Sequence, residues 1–84
     1  MSDWFVYILK CGDGTLYTGI ATDVQARLEK HRMGKGAKYT RGRGPLELVF
    51  VEEQDSESAA HLRENEIKRL TKAEKEGLCY TGRK

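Results

Sequence analysis

The pattern of apolar and polar positions divides the chain into three strand-like and three helix-like segments. The run WFVYILKC is aromatic and β-branched without a breaker, which predicts a central strand. After a Gly-Asp-Gly turn, the run TLYTGI predicts the second strand of a hairpin. LELVFVEE predicts a third strand, in which the alternating apolar residues from Leu46 to Phe50 share one face.

The length of the hairpin turn decides which side chains share a face. Because side chains alternate along a strand, a two-residue turn would place Tyr7 and Tyr17 on opposite faces. A three-residue turn over Gly12–Gly14, ending in a left-handed glycine, instead pairs Leu9 with Tyr17. Tyr7 then lies opposite Gly19. We expect this longer turn, which places both tyrosines on one face.

Three further segments have helical patterns. TDVQARLEKHRMG predicts a first helix that Thr22 or Asp23 caps and Gly34 ends. SAAHLRENEIKRL predicts a second helix that starts near Ser56, and TKAEKEGL predicts a short third one. The apolar residues expected to face the core are Ala21, Val24 and Leu28 with the first helix, Ala59, Ala60, Leu62, Ile67 and Leu70 on the second, and Leu78 on the third.

The order of these segments and the chain length predict one small domain. Strand, strand, helix, strand, helix, helix is the order of an α+β fold with a small three-stranded antiparallel sheet flanked by helices. A chain of 84 residues has room for one modest core, so we expect a single domain over residues 1–84 with its core at about 3–76.

The cellular location is predicted from what the sequence lacks. No apolar run approaches the length of about 18 residues that a membrane span needs. The N-terminus has no basic-then-apolar secretory pattern. We therefore expect a cytoplasmic protein without a membrane partner, in which Cys11 and Cys79 are reduced thiols.

The net charge of +2 conceals an uneven distribution. Between Arg27 and Arg43 there are seven basic residues and one acidic residue, whereas Glu47–Glu66 contains seven acidic residues and one arginine. The basic block contains the glycine-rich loop GKGAKYTRGRGP and suits a polyanionic partner. The alternative is a solvated surface loop that is basic by chance.

Three polar residues stand out by their positions on the predicted helices. Arg27 and His31 are four residues apart, so they lie on one face of the first helix. Glu64 borders the apolar face of the second helix, where a carboxylate needs a partner or an ion. Each has a structural alternative: Glu64 could pair with Lys68, Arg27 could pair with Asp23, and His31 could sit in water. The two strand tyrosines could likewise be core aromatics with hydroxyls at the rim.

Taken together, these residue types suit phosphodiester hydrolysis. That reaction needs a group that activates water, a cation that stabilises the developing negative charge, and a divalent metal held by a carboxylate. A tyrosine pair, an arginine, a histidine and a glutamate on a chain with a basic block can fill these roles.

With these residues the chain resembles the GIY-YIG nuclease family, in particular its small single-domain members. VYI at residues 6–8 stands where the family has its GIY element, and YTG at residues 17–19 stands where it has YIG. The family's R-x-x-x-H motif is Arg27 and His31, and the glutamate of its later helix is Glu64. The motifs occur in the family's order and spacing over about residues 3–76.

Two departures from the family pattern concern packing and metal binding. Val6 and Thr18 replace the glycine and isoleucine of the family name, at packing positions that leave the chemistry intact. Some members add a downstream asparagine near the metal. The only asparagine here, Asn65, is adjacent to Glu64 and turned roughly 100° away around a helix. The metal would therefore have one protein ligand and several waters.

The resemblance implies a role for each matched residue. Tyr7 would be the general base or would position the attacking water, and Tyr17 would hold the scissile phosphate or assist that base. Arg27 would stabilise the developing charge. His31 would tune Tyr7 or relay its proton. Glu64 would bind a single Mg²⁺ or Mn²⁺ ion, so the implied activity is that of a metal-dependent DNA endonuclease.

The basic loop supplies most of the expected contacts to DNA. One domain with about six clustered charges can neutralise only a few phosphates, which disfavours strong duplex binding. Single-stranded or locally unpaired DNA needs only a basic groove and an aromatic on which a base stacks. Tyr39 is the candidate stacking residue, although it could instead pack the loop onto the first helix. The candidate nucleic-acid-binding residues are Gly19, Lys35, Lys38, Tyr39, Arg41 and Arg43.

Two other functions fit the same sequence. The first is a catalytically silent nucleic-acid-binding module with the same fold, against which the presence of all five catalytic candidates argues. The second is a protein-interaction accessory that uses the acidic second half. No obligatory protein partner is evident from the sequence.

Overall fold

A three-stranded antiparallel sheet lies at the centre of the structure, a computed structural model that describes residues 3–81. Its strand order is β2-β1-β3, so β1 is the central strand. The elements in chain order are β1 (Trp4–Lys10), β2 (Leu16–Ala21), α1 (Val24–Arg32), β3 (Glu47–Gln54), α2 (Glu57–Lys68) and α3 (Lys72–Thr81), with a 3-10 turn at Lys38–Thr40. The predicted α+β fold and its order of elements are confirmed. Both ends of the expected domain lie outside the described residues.

The hairpin of β1 and β2 has the predicted three-residue turn. Leu9 pairs with Tyr17, and Tyr7 pairs with Gly19. Gly14 ends the turn with a φ of 87°, a left-handed conformation that glycine adopts without a Cβ clash. Tyr7 and Tyr17 therefore lie on the same face of the sheet, as the odd turn length requires.

Alternation of side chains along β1 creates one apolar cluster on each face of the sheet. The α2-side cluster consists of Val6, Ile8, Val49, Phe50, Ala60, Ile67 and Cys79, and the α1-side cluster consists of Tyr7, Leu9, Cys11, Ala21, Leu28 and Leu46. Helices α1 and α2 thus cover opposite faces. The two thiols also lie on opposite faces, where they cannot form a disulfide with each other.

β3 does not alternate as its sequence predicts. Ile8 pairs with Phe50 and Leu9 with Leu48, so Val49 is an extra residue in a β-bulge. Leu48 consequently packs on the α1-side cluster, whereas Phe50 belongs to the α2-side cluster. The prediction of one shared apolar face is wrong, because the bulge resets the alternation within the strand.

The first two helices begin at predicted caps. An Asp23 carboxylate oxygen accepts a hydrogen bond from the Ala26 amide at 3.0 Å, and Ser56 Oγ accepts one from the Ala59 amide at 3.1 Å. Such side-chain oxygens satisfy amides that have no partner in the first helical turn. Within residues 3–81, no helix is both long and apolar enough to cross a bilayer.

Leu62 is the clearest error among the predicted core residues. Its side chain is 67% exposed, whereas Ala60 and Ile67 on the same helix are fully buried. Leu62 is two residues from Ala60 and therefore roughly 200° around the helix from it. The solvent-facing side of α2 thus carries one large apolar side chain.

Candidate active site

The candidate catalytic residues converge at the β2 edge of the sheet. Because β2 is an edge strand and α1 and α2 lie on opposite faces, both helices contribute side chains to this edge. A pocket of about 250 Å³ opens there. Its lining includes all five catalytic candidates, namely Tyr7, Tyr17, Arg27, His31 and Glu64, together with Gly19 and His61. The structure therefore brings together residues that are up to 57 positions apart in the sequence.

A hydrogen bond between two buried side chains lies at the base of the pocket. Tyr7 Oη is 2.9 Å from His31 Nε2, and only 2% and 3% of these residues are exposed. The ring of Tyr17 meets the ring of His31 edge-on, with 5.2 Å between the centroids. The alternative in which His31 sits in water is therefore wrong.

The surroundings of Tyr7 favour its neutral form. Burial raises the pKa of Tyr7 well above its usual value near 10, and the negative charges that Tyr17 and Glu64 can carry raise it further. The Arg27 guanidinium opposes this effect without reversing it. Tyr7 is thus a neutral phenol at neutral pH, which can give up its proton only to a neighbouring acceptor.

Gly19 makes room for the phenol of Tyr7. A Cβ at this position would lie 2.6 Å from Tyr7 Oη, closer than real contacts allow, and 3.1 Å from Tyr17 Cε2, a tight contact. Gly19 is among the residues predicted to bind nucleic acid. The structure gives a packing reason for a glycine here, since the Tyr7 hydroxyl fills the space that a side chain would need.

Glu64 both pairs with Lys68 and lies in the candidate site, so the two interpretations of this residue from the sequence hold together. It forms the expected ion pair with Lys68, at 3.1 Å from Oε2 to Nζ, and it also lines the pocket that contains Tyr7. Its other oxygen is 3.5 Å from His61 Nδ1, and its side chain is only 14% exposed. Sequence reasoning missed His61, although its position three residues before Glu64 on a helix signals proximity.

Glu64 is the one carboxylate among the described residues that line the pocket. Within the described part of the chain, no three His, Cys, Asp or Glu side chains are arranged to hold a metal ion together. Mg²⁺ dehydrates reluctantly and is often bound by one or two carboxylates plus substrate phosphate and water. Glu64 could therefore supply one ligand, and an ion there would replace the Lys68 ammonium as the partner of the carboxylate.

The glycine-rich loop packs its one aromatic residue against the site. The Tyr39 ring stacks on Tyr17 at 5.9 Å between centroids, and Arg43 Cζ lies 4.5 Å from its centroid. Tyr39 remains 42% exposed. Arg43 also forms an ion pair with Asp13 across the hairpin turn. Tyr39 therefore attaches the loop to β2, and Arg43 attaches it to the hairpin turn.

Three exposed cations lie in the loop that contributes to the pocket lining. Gly36 and Ala37 line the pocket, Lys35 and Lys38 flank them in the sequence, and Arg41 follows in the same loop; all three cations are exposed. Among residues 3–81, these three cations form no ion pair within 4 Å with any carboxylate. Their charge is therefore available to a polyanion that enters the pocket.

Gly36 and Thr40 of the same loop pack against His31. Sequence reasoning missed both contacts. A Cβ on Gly36 would lie 2.7 Å from His31 Cγ, so the loop backbone touches the imidazole ring. Thr40 Oγ1 is 2.9 Å from His31 Nδ1. Neither residue carries a sequence signal for this role, because only the path of the loop brings them to the ring.

The fold and the pocket together define the class of protein. Residues 3–77 match the family model of the GIY-YIG catalytic domain, and the chain belongs to this family of nucleases. The predicted family is therefore confirmed.

Within that class, the chain is similar to UPF0213 proteins. It is 57% identical over 77 residues to one from Natronomonas pharaonis, across 92% of this chain and 91% of the relative. It is 55% identical over 75 residues to one from Staphylococcus aureus, across 89% and 92%. The solution NMR structure of a UPF0213 protein from Bacillus halodurans matches with a TM-score of 0.61 and 49% identity, across 95% of this chain and 86% of that one.

Replacing Gly19 by alanine is expected to displace Tyr7. The added Cβ overlaps Tyr7 Oη, and overpacking of a filled site typically costs about 1–3 kcal/mol of folding free energy. Gly44→Ala is the matched control, because a Cβ there meets nothing within 4 Å. Urea unfolding measures both changes. Equal stability of the two variants would contradict the tight contact between Gly19 and Tyr7.

His31 is expected to titrate below the usual histidine value of about 6.5. Burial lowers the pKa of His31, and the Arg27 guanidinium lowers it further. As the pH falls, the unfolded chain binds a proton at this histidine before the folded protein does. Stability is therefore lost as the pH falls below about 6.5.

An NMR titration of the His31 ring measures this pKa directly, with His31→Gln to identify the signal. Arg27→Gln removes one cause of the shift, so it raises the midpoint toward the ordinary value. Arg32→Gln, a neighbouring change on the same helix, leaves the midpoint where it is. A midpoint above 6.5 in the unmodified protein would contradict the effect of burial.

Proposed function

We propose that this protein is a divalent-metal-dependent endonuclease that hydrolyses phosphodiester bonds in single-stranded or locally unpaired DNA. The main support is the convergence of two tyrosines, an arginine, a histidine and a glutamate on one pocket, with Tyr7 Oη 2.9 Å from His31 Nε2. We also propose a cytoplasmic location and no obligatory protein partner.

The hydrogen bond between Tyr7 and His31 supports a two-step proton route for the activation of water. Water attacks the phosphorus atom and loses a proton to Tyr7 Oη, while the proton of Tyr7 moves to His31 Nε2. The lowered pKa of His31 keeps its imidazole neutral and ready to accept at neutral pH. The phosphorus–oxygen bond to the leaving group breaks, and the leaving oxygen takes a proton from water. His31 afterwards releases its proton to solvent.

The other three residues serve the phosphate. Arg27 lines the pocket and is exposed, so its guanidinium can bind the non-bridging oxygens as negative charge develops on them. Tyr17 lines the same pocket and would hold the same phosphate through its hydroxyl. Glu64 would hold the divalent ion, which as a Lewis acid polarises the phosphoryl oxygens when bound.

The basic loop supports the preference for unpaired DNA. Lys35, Lys38 and Arg41 supply exposed charge on the loop, and the ring of Tyr39, which stacks on Tyr17, is 42% exposed. Three such cations are fewer than the six to ten phosphate contacts that typically give strong duplex binding. A short single strand that follows a basic groove and stacks a base needs less.

Cleavage of labelled DNA in Mn²⁺ tests the activity. Tyr7→Phe removes the acceptor of the water proton and is expected to lower the cleavage rate about 10²-fold or more. Glu64→Ala removes the proposed metal ligand and is expected to abolish metal-dependent cleavage. Glu66→Ala is the matched control, because Glu66 is an exposed glutamate on the same helix that pairs with Arg63. It should cleave at the normal rate.

The same assay separates the competing functions. Metal-independent binding of DNA without cleavage would favour a silent nucleic-acid-binding module, and the absence of both would favour a protein-interaction accessory. Equal cleavage of a duplex and of its separated strands would contradict the preference for unpaired DNA while leaving the nuclease assignment in place.

The salt dependence of binding tests the role of the loop cations. Lys38→Gln with Arg41→Gln removes two proposed phosphate contacts, so the slope of log affinity against log salt is expected to fall by about 1.4 for a single strand. Arg69→Gln with Lys72→Gln removes one arginine and one lysine from exposed positions outside the pocket lining. This control should leave the slope unchanged. An equal fall in both variants would mean that the loop is not the binding surface.

A further inference from the structure

A second pocket adjoins the candidate active site at the β2 edge of the sheet. Its volume is about 500 Å³, against about 250 Å³ for the catalytic pocket. Ile20, Arg27 and His61 line both pockets. The two pockets are therefore parts of one continuous groove, and these three residues lie at the junction between them.

The second pocket contains an aromatic side chain and several aliphatic ones. Trp4, at the start of the central strand β1, lines it and packs with part of its surface against the α2-side cluster. Ile20, Ala21 and Ala26 add apolar surface to the lining. Sites for small ligands typically have volumes of roughly 300–1,000 Å³ and combine such surface with a few polar groups. An aromatic ring of this kind is what a nucleobase needs for stacking.

Two cations of α1 give this pocket its available charge. Arg27 and Lys30 are exposed, line the pocket and lie three residues apart on one face of the helix. Among residues 3–81, neither forms an ion pair within 4 Å with a carboxylate. The two carboxylates of the lining are engaged within the chain, since Asp23 caps α1 and Glu57 lies 3.7 Å from His61 Nε2. The free cations suit a phosphate.

The two pockets and the glycine-rich loop follow one another along α1. The second pocket includes Asp23 at the N-cap, the catalytic pocket includes His31 in the last turn, and the loop begins beyond the C-cap. Gly36 and Ala37 of the loop line the catalytic pocket but not the second one. A strand that crosses the catalytic pocket therefore has the basic loop on one side and the second pocket on the other.

We propose that the second pocket binds the nucleotide next to the scissile phosphate on the side away from the glycine-rich loop, with its base against Trp4 and a phosphate at Lys30. The identity of this ligand rests on the proposed nuclease function. Arg27 lines both pockets, so it joins the subsite to the phosphate that is cut. A base can enter such a pocket only when it is unpaired and unstacked, so the subsite selects the same DNA as the basic loop does.

The fluorescence of Trp4 tests the position of the base. Trp4 is the one tryptophan of the chain, so its emission reports on this pocket alone. We expect a short single strand of thymidine nucleotides, added to the metal-free protein, to quench the emission as a base stacks on the indole. An abasic strand with the same number of phosphates is the matched control. It should bind through the cations without quenching Trp4.

A charge placed in the pocket tests the subsite without changing the core. Ala26 is exposed and lines the pocket, so Ala26→Glu adds both volume and a negative charge there. We expect this variant to bind the thymidine strand about 10-fold more weakly, since the stacked base and the phosphate are both displaced. Gln25→Glu adds the same charge to an exposed neighbour on α1 that lines neither pocket. It should bind as the unmodified protein does.

The results also separate this inference from the proposed nuclease function. A strand that leaves the emission of Trp4 unchanged, or an abasic strand that quenches it equally, would overturn the subsite whether or not the DNA is cut. Equal binding by the two glutamate variants would do the same. If the thymidine strand quenched Trp4 but were not cleaved in Mn²⁺, the subsite would stand and the proposed hydrolysis would fail.

Discussion

A hydrogen bond between a buried phenol and a buried imidazole connects the sheet, the first helix and the glycine-rich loop. Tyr7 and His31 each place polar atoms in the interior, where an unpaired polar group costs about 1–3 kcal/mol, so the two groups must satisfy each other. The sheet must leave space for the phenol, which Gly19 does, and the loop must satisfy the second ring nitrogen, which Thr40 does. Core packing and catalytic geometry are therefore the same constraint at this position.

The same constraint bears on the proposed role of Tyr7 at neutral pH. Burial makes ionisation of Tyr7 unfavourable, so a preformed phenolate is not available. Burial also keeps His31 neutral, and a neutral imidazole beside a neutral phenol can take a proton as the phenol gains one. Desolvation thus opposes a mechanism that starts from a Tyr7 phenolate. It supports one in which neutral Tyr7 passes its proton to neutral His31. The exposed Arg27 guanidinium can contribute charge stabilisation without either buried group being ionised beforehand.

Local signals in the sequence were sufficient for the elements and for the faces of the hairpin. A Gly-Asp-Gly turn of odd length placed Tyr7 opposite Gly19, and the caps Asp23 and Ser56 set the starts of two helices. The bulge at Val49 was missed because it depends on pairing with β1 and leaves no mark in the apolar pattern. Five separated residues that line the pocket were singled out by their match to the family motifs, whereas Thr40 was missed because its contact with His31 depends on how the loop folds back.

The glycine-rich loop carries both the cations of the proposed DNA-binding surface and the groups that contact His31. Its exposed cations lie on the same short segment as Gly36 and Thr40, which hold the imidazole from behind. A displacement of the loop away from α1 would remove both the charge for DNA and the partner of His31 Nδ1. Lys38, whose charge is available to DNA, is only two residues from Thr40 and in the same 3-10 turn. Under the proposed function, a change in the loop that moved these cations would therefore also disturb the contacts that hold His31.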